Sequence, residues 1–364
     1  MMSDGKQPTW LRTHLHDMQG YVPGEQPGVG AIKLNTNENP YPPSPAVVTA
    51  LSKITARALQ RYPDPMALGF RETAAQLHNL QPDQVIATNG GDELLRLAVT
   101  SFVDPGRAIG VVTPGYGVYS VVSAIHEAPL STVPLSVNWD LPDDTAAHWN
   151  ADGAQLAFIT NPHAPSGALF AFDAIGRLAE VFQGVLLIDE AYVDFVDPAL
   201  KHDATQLLVR HPNVLLLRTL SKGYALAGLR MAYGLGQKAL IAPMLAKTKD
   251  SYNVDAIAQI LGQVALEDSG YAQSTWIAIR DERARLIREL QEIGLGVEPS
   301  QTNFVLASVP PNSRWGSARA LYQALQARSI HLRWFDQERL RHRLRISVGL
   351  PKENNALLAT FRDL

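Results

Sequence analysis

The sequence contains no cysteine. That excludes disulfides, thiolate metal sites and cysteine nucleophiles together, and it is compatible with a reducing compartment. A basic surplus is also missing: 32 lysines and arginines face 35 acidic residues, a net charge of -3. Nucleic-acid binding therefore has no electrostatic support. No stretch reaches the roughly 18 consecutive apolar residues of a membrane span, and the N-terminal segment has no apolar core of the signal-peptide kind. No GxGxxG follows the early strand-like segments, which weighs against a nicotinamide dinucleotide site. There is no internal repeat and no low-complexity tract. Lysine itself is scarce, with nine among the 32 basic residues. What remains is a cytoplasmic protein whose partners are small molecules, with neither nucleic acid nor membrane among them.

What is present is a long chain with a large interior. At 364 residues, 46% apolar and 18% charged, it exceeds one simple core, and two domains are expected. Residues 1–45 are rich in Pro, Gly and Asn and read as an irregular arm, with a short helix at 8–18. Helical spacing follows at 46–59 and 66–78. From residue 84 short apolar runs alternate with helical patterns: strands at 85–89, 108–114, 130–135, 156–161, 185–190, 214–220 and 231–236, with a helix at 172–182 and a polar loop at 140–152. Such runs, bounded by turn residues, predict βα units and a mainly parallel, buried sheet. After residue 255 two long helical patterns precede strands near 303–309, 330–335 and 344–349, a helix at 317–328 and a terminal helix. The expected fold is α/β: a three-layer large domain over 36–265, and a smaller α+β unit made of 1–35 and 266–364.

Five strand ends carry residues that suggest chemistry, and ligands in open α/β sheets bind outside the carboxyl ends of the strands. Gly91 and Asp92 open a helix whose free N–H groups suit a phosphate. Tyr116 could cover a flat ring. Asn161 precedes a loop stiffened by two prolines and a glycine. Asp189 closes a buried strand and needs a cationic partner, either a protonated heterocycle or an arginine, and Tyr192 lies three residues on. Lys222 follows Ser221 in a turn between apolar segments, and an Ala- and Leu-rich helical stretch leads from it to Arg230. A desolvated amine there is an imine-forming nucleophile. Taken singly, each position also fits a structural role: helix start, packed tyrosine, plain loop, buried ion pair, solvated lysine. Together they specify a ligand with a phosphate, a flat ring, a protonated ring nitrogen, a ring hydroxyl and an aldehyde. Pyridoxal 5'-phosphate has all of these, and its chemistry calls for a lysine and an acidic partner on the ring nitrogen.

With these residues in view, the chain resembles the fold-type-I pyridoxal-phosphate aminotransferases and, within them, the histidinol-phosphate aminotransferases. The resemblance runs from YVPGE at Tyr21 through LNTNENP at Leu34, RYPD at Arg61, NGGD at Asn89, NPHAPSG at Asn161, DEAY at Asp189 and SKGYALAGLR at Ser221 to LRISVG at Leu344. It implies that Lys222 carries the cofactor covalently, that Asp189 pairs with the ring nitrogen, and that Tyr116 stacks on the ring. Asn161 and Tyr192 would face its hydroxyl, and Gly91, Asp92, Ser221 and Arg230 its phosphate. Tyr62 matches a tyrosine that reaches the phosphate in a neighbouring subunit, implying a homodimer with shared sites. Arg345 and Arg333 match arginines that hold the substrate anion, while Tyr21 and Asn37 match substrate-side residues of the arm. One departure is His163-Ala164, where relatives often have an asparagine before the second proline; His163 is expected to be loop scaffold. The implied reaction is amino transfer from histidinol phosphate to 2-oxoglutarate, giving imidazole acetol phosphate and glutamate in histidine biosynthesis. Aromatic amino-acid transamination, decarboxylation of a phosphorylated amino acid, and a non-catalytic cofactor-binding regulator are the competing readings.

Overall fold

A computed structural model describes residues 10–364. Its centre is a seven-stranded sheet: β1 (Val85–Asn89), β2 (Ile109–Thr113), β3 (Leu130–Pro134), β4 (Leu156–Thr160), β5 (Val185–Asp189), β6 (Val214–Thr219) and β7 (Met231–Gly236). The spatial order is β1-β7-β6-β5-β4-β2-β3, and β7 alone runs against the others. Nearly every residue of β4, β5 and β6 is buried, which is why they read as continuous apolar runs rather than as alternating ones. One face, with Phe158, Leu187, Leu215 and Leu217, packs under the helices Gly91–Phe102 and Gly117–Ile125. The opposite face, with Ile159, Ile188 and Leu216, packs on Trp149, Ile175, Leu178 and Leu207. This is the three-layer α/β arrangement expected from the pattern.

A second core surrounds an antiparallel sheet of β8 (Gly296–Val297), β9 (Phe304–Ser308), β10 (Arg333–Trp334) and β11 (Arg343–Ser347), in the order β10-β11-β9-β8. The helices Ser269–Ile293, Ala318–Gln326 and Pro351–Asp363 bury their apolar faces against it. The N-terminal arm is stitched to this core. Ile32 and Lys33 pair with Ile330 and His331, Leu34 N–H donates to His331 O, and Ser347 N–H donates to Leu34 O. The arm is thereby carried across the carboxyl ends of the large sheet.

Several expected elements differ. The helix expected at 8–18 is a single 3₁₀ turn, Thr13–Leu15, and residues 8 and 9 lie outside the described residues. The helical pattern at 46–59 is broken into Pro45–Ser52 and Ala56–Gln60, the first ending at Lys53. The polar loop at 140–152 contains a helix, Thr145–Ala151, that exists because it buries Trp149 against the sheet. The stretch after Lys222 is not a helix. It holds one 3₁₀ turn, Ala227–Leu229, and Arg230 caps it in the left-handed region at φ 57°, which turns the chain straight into β7. Tertiary position overrode Ala and Leu propensity there.

Candidate active site

Five strand ends converge on one cavity of about 250 Å3. Parallel register brings them there: Thr160 pairs with Asp189, and Asp189 with Leu217, so the last residues of β4 and β5 lie beside β6 two residues before its end. Of the fourteen expected site residues, all but Asn161 and Tyr62 line this cavity. Asn161 lies just behind it, fully buried. Tyr62 is elsewhere: its side chain is 80% exposed and stacked on Tyr252 at 4.4 Å.

Lys222 is presented by the turn after β6, and its Nζ donates to the Thr36 carbonyl at 3.0 Å. Burial pushes its pKa down to about 8, and the positive charge of Arg345 acts in the same direction. Asp189 is 5% exposed; its Oδ1 accepts the Ala191 N–H at 3.0 Å and its Oδ2 the Tyr119 hydroxyl at 2.9 Å. Burial pushes its carboxyl up to about 6. That shift marks a carboxylate short of a cation. Asn161 Oδ1 accepts the Phe170 N–H at 2.8 Å, while Asn161 Nδ2 is buried without a partner. An unmatched buried donor beside a cavity is costly unless a ligand acceptor meets it.

At the Gly90–Gly91 turn the cavity wall carries Arg230 and Asp92. Gly90 takes φ 75°, and a Cβ there would stand 2.6 Å from Arg230 Nη2, so glycine is required for the turn and for the close approach of the arginine. Gly91 begins the helix Gly91–Phe102, and Glu93 caps its start by accepting the Asn89 N–H. Asp92 sits 3.8 Å from Arg230, both half exposed. Ser221 Oγ accepts from Thr219 Oγ1 at 3.0 Å.

The facing wall comes from the arm and the C-terminal sheet. Tyr21 meets Tyr116 edge-on at 5.6 Å. Asn37 Nδ2 donates to the Tyr192 hydroxyl at 3.0 Å, and Ser347 Oγ donates to Asn37 Oδ1 at 3.0 Å. Arg345 Nη2 donates to Asn35 O at 2.9 Å and its Nε is buried without a partner, while Arg333 donates to Val22 O and Pro23 O. Arg333 and Arg345 are directly paired on β10 and β11. Like charges opposite one another repel, so an anion between the two guanidinium groups would relieve the pair.

Sequence reasoning missed Tyr119, the partner of Asp189, although it lies one helical turn from Tyr116. It also missed Asn35 and Thr36, whose backbone carbonyls meet Arg345 and Lys222; backbone acceptors leave no side-chain signature. His163 is more than spacer. Its Nε2–H donates to Pro114 O at 3.0 Å, so its Nδ1 must accept the Ser166 hydroxyl at 2.7 Å. Burial pushes its pKa down to about 4, so the ring stays neutral and ties the Asn161 loop to the turn before Tyr116. Among the described residues, no group of three or more His, Cys, Asp or Glu side chains is placed to hold a metal.

The class I and II aminotransferase profile matches residues 29–361. Histidinol-phosphate aminotransferase 1 of Trichormus variabilis is 40% identical over 357 residues, covering 98% of this chain and 99% of that one. Histidinol-phosphate aminotransferase of Citrifermentans bemidjiense is 39% identical over 97% of this chain and 98% of its own. The fold matches the histidinol-phosphate aminotransferase of Sinorhizobium meliloti, solved in complex with pyridoxal-5'-phosphate, with a TM-score of 0.88, 24% identity and 98% coverage of both chains. The strand-end cavity and these likenesses agree: the chain belongs to the class I and II aminotransferases, within the histidinol-phosphate aminotransferase family.

Proposed function

We propose that the protein moves the amino group of histidinol phosphate to 2-oxoglutarate with pyridoxal 5'-phosphate as cofactor, a step of histidine biosynthesis. The observation that carries this reading is the depressed Lys222 amine in one cavity with Asp189, with the unmatched Asn161 Nδ2 buried behind it. The cavity residues suit the cofactor. Asn161 lacks an acceptor that a ring hydroxyl would supply, Asp189 lacks a cation that a ring nitrogen would supply, and the Gly90–Gly91 turn with Arg230 leaves room for a phosphate. When bound, the cofactor supplies an electron sink for the carbanion formed at the substrate's α-carbon.

Lys222 has two duties in this scheme. Its free amine would hold the cofactor at its aldehyde carbon, and once freed the same amine would take the proton from the substrate's α-carbon and deliver it to that cofactor carbon, across the intervening nitrogen. A pKa near 8 suits both, because an appreciable fraction is unprotonated at neutral pH. Tyr192, its hydroxyl already fixed by Asn37, would hold the ring hydroxyl together with Asn161. Tyr116 would cover one face of the ring and, with Tyr21, keep water from it. Arg345 and Arg333 would bind the phosphate of the donor and then a carboxylate of the acceptor, since a planar guanidinium suits both anions. Arg345 Nε is already free for the substrate, while Arg333 would give up its two arm carbonyls.

Tyr62 points away from its own cavity, and we infer that it completes the phosphate site of a second copy. Exposed Val48, Leu51, Leu59, Met66 and Ile260 lie on or beside the helices that pack on Ala256–Glu267, an apolar surface suited to a homodimer. The same reading divides the chain into a cofactor domain, 36–265, and a unit formed by 1–35 with 266–364. It also places the protein in the cytoplasm. Among the described residues no helix is long and apolar enough to cross a membrane.

The test is a spectral half-reaction. The holoprotein is mixed separately with histidinol phosphate, phenylalanine, tyrosine and phosphothreonine. Rapid loss of the bound cofactor's visible absorbance with histidinol phosphate, and slow loss with the rest, is the expected result. A preference for an aromatic donor, or carbon dioxide release from phosphothreonine, would overturn it.

A further inference from the structure

Tyr119 lies one helical turn beyond Tyr116 and is 3% exposed. It does not line the cavity. Its ring stacks on Phe158 at 4.9 Å and meets Tyr116 edge-on at 5.5 Å. Its hydroxyl stands 2.9 Å from Asp189 Oδ2 and 2.7 Å from Thr160 Oγ1. An ionised carboxylate only accepts, so the Tyr119 hydroxyl donates to Asp189, and the Thr160 hydroxyl must then donate to the Tyr119 oxygen. Thr160 and Asp189 are register partners on neighbouring parallel strands. The sheet therefore delivers both ends of this three-residue chain, and the ring packing fixes its middle. With Ala191 N–H on Oδ1, each oxygen of Asp189 has one fixed donor and the plane of the carboxylate is set from two sides.

We propose that Tyr119 is a positioning residue that keeps Asp189 ionised and oriented for the ring nitrogen of the cofactor. This rests on the reading of Asp189 given above. The balance at Asp189 is fine. Burial favours its neutral form, and the negative charges of Asp92 and Glu190 push the same way; Tyr119 and the Ala191 N–H oppose them. The remaining titratable and charged groups around it are Tyr116 and Tyr192 and, across the cavity, Lys222, Arg230 and Arg345. A hydrogen bond to a buried carboxylate is among the stronger ones, so its loss moves the titration rather than trimming it. A neutral Asp189 could not pair with a protonated ring nitrogen, and the electron sink would weaken without any change in the substrate-binding wall.

Tyr119→Phe keeps the stack on Phe158 and the edge contact with Tyr116 and removes only the donor. The apoprotein is titrated with pyridoxal 5'-phosphate between about pH 5 and pH 9, following protein fluorescence and cofactor absorbance, with Asp189→Asn and Thr160→Val alongside. Wild-type affinity falls as pH drops through about 6. In Tyr119→Phe that fall begins about one pH unit higher, so its Kd exceeds the wild-type value about twofold at pH 7 and about tenfold near pH 5. Thr160→Val shifts it in the same direction by less. In the holoprotein, kcat of Tyr119→Phe drops about tenfold while KM for the amino donor stays within about threefold. Wild-type titration and kcat in Tyr119→Phe, with Asp189→Asn impaired, would overturn the role of Tyr119 alone. An unimpaired Asp189→Asn would overturn the reading of Asp189 itself. Should Tyr119→Phe fail to fold, Thr160→Val decides, and the absence of any shift in it counts against the proposal.

Discussion

The two walls of the cavity are built by different means. On one, Asp189, Asn161 and Lys222 stand within three residues of the ends of buried parallel strands; Tyr119 of the helix Gly117–Ile125 meets Asp189, Phe170 meets Asn161, and Lys222 alone reaches across to the arm, at Thr36 O. On the other, Arg333 and Arg345 stand on a small antiparallel sheet and donate to arm carbonyls some 310 residues away in sequence. On the first wall strand register and backbone N–H donors hold Asp189 and Asn161 in place. The second is held by contacts to arm carbonyls, of which Arg333 would give up its two to an anionic substrate. Under the proposed function, cofactor chemistry would sit on the first wall and substrate choice on the second, where one pair of arginines would serve two different anions in turn.

The comparison can be broken most directly at Lys222. Lys222→Ala should lower turnover by more than about 10³-fold, because it removes both the attachment point and the proton carrier; a near-normal steady-state rate would sink the assignment. Arg345→Lys tests the other wall. Losing the fork geometry should lower kcat/KM for the phosphorylated donor about 100-fold, chiefly through KM, with cofactor affinity almost unchanged. A fall in cofactor affinity as large as the fall in kcat/KM would mean that the walls do not divide the work.

Smaller effects sharpen the same contrast. Gly90→Ala strains a φ of 75° and crowds Arg230, so cofactor Kd should rise about tenfold and stability fall by about 1 kcal/mol, read by titration and thermal melting. The walls also touch electrostatically through Lys222. Its attachment to the cofactor should accelerate as pH rises through about 8, because only the neutral amine attacks. Arg345→Gln removes a nearby positive charge, restores some of the preference for the protonated amine, and should move that midpoint upward; stopped-flow absorbance measures it. An unmoved midpoint would uncouple the two walls. The smallest expected effect is at the arm. Glu25 Oε2 accepts from Gln326 Nε2 at 2.8 Å and stands 2.9 Å from His331 Nδ1. The hydrogen bonds from His331 and Gln326 hold its carboxyl below the usual range. Its contribution is present above that range and is lost as pH falls through the depressed value. Being half exposed, it is worth under about 1 kcal/mol. Glu25→Gln should make the arm slightly more protease-sensitive at neutral pH and flatten the acid limb of its protection.

The sheet was readable because burial on both faces leaves β4, β5 and β6 as plain apolar runs, and each run ends in a turn with a polar residue whose meaning came only from the other strand ends. Asp189 and Lys222 announced themselves in that way. Where the sequence misled, local preference met a stronger tertiary demand. The Ala–Leu stretch after Lys222 is helical by propensity, but the chain must reverse within eight residues to form β7, and Arg230 in the left-handed region accomplishes the reversal. The segment at 140–152 is polar on average, yet Trp149 has a place in the core and pulls a helix round itself.

The sequence by itself determined the chemistry available: one buried amine, one carboxylate at a strand end, a glycine turn beside an arginine, and no thiol. Covalent identity and short-range order suffice for that. Only the tertiary structure decided who partners whom. Tyr119 meets Asp189 because parallel register aligns Thr160 with Asp189 beneath one helix. Arg333 opposes Arg345 because β10 pairs with β11. Lys222 rests on a carbonyl of the arm because residues 32–34 are sewn to the C-terminal sheet. Each of these depends on packing between segments far apart in the chain, and no local pattern records it.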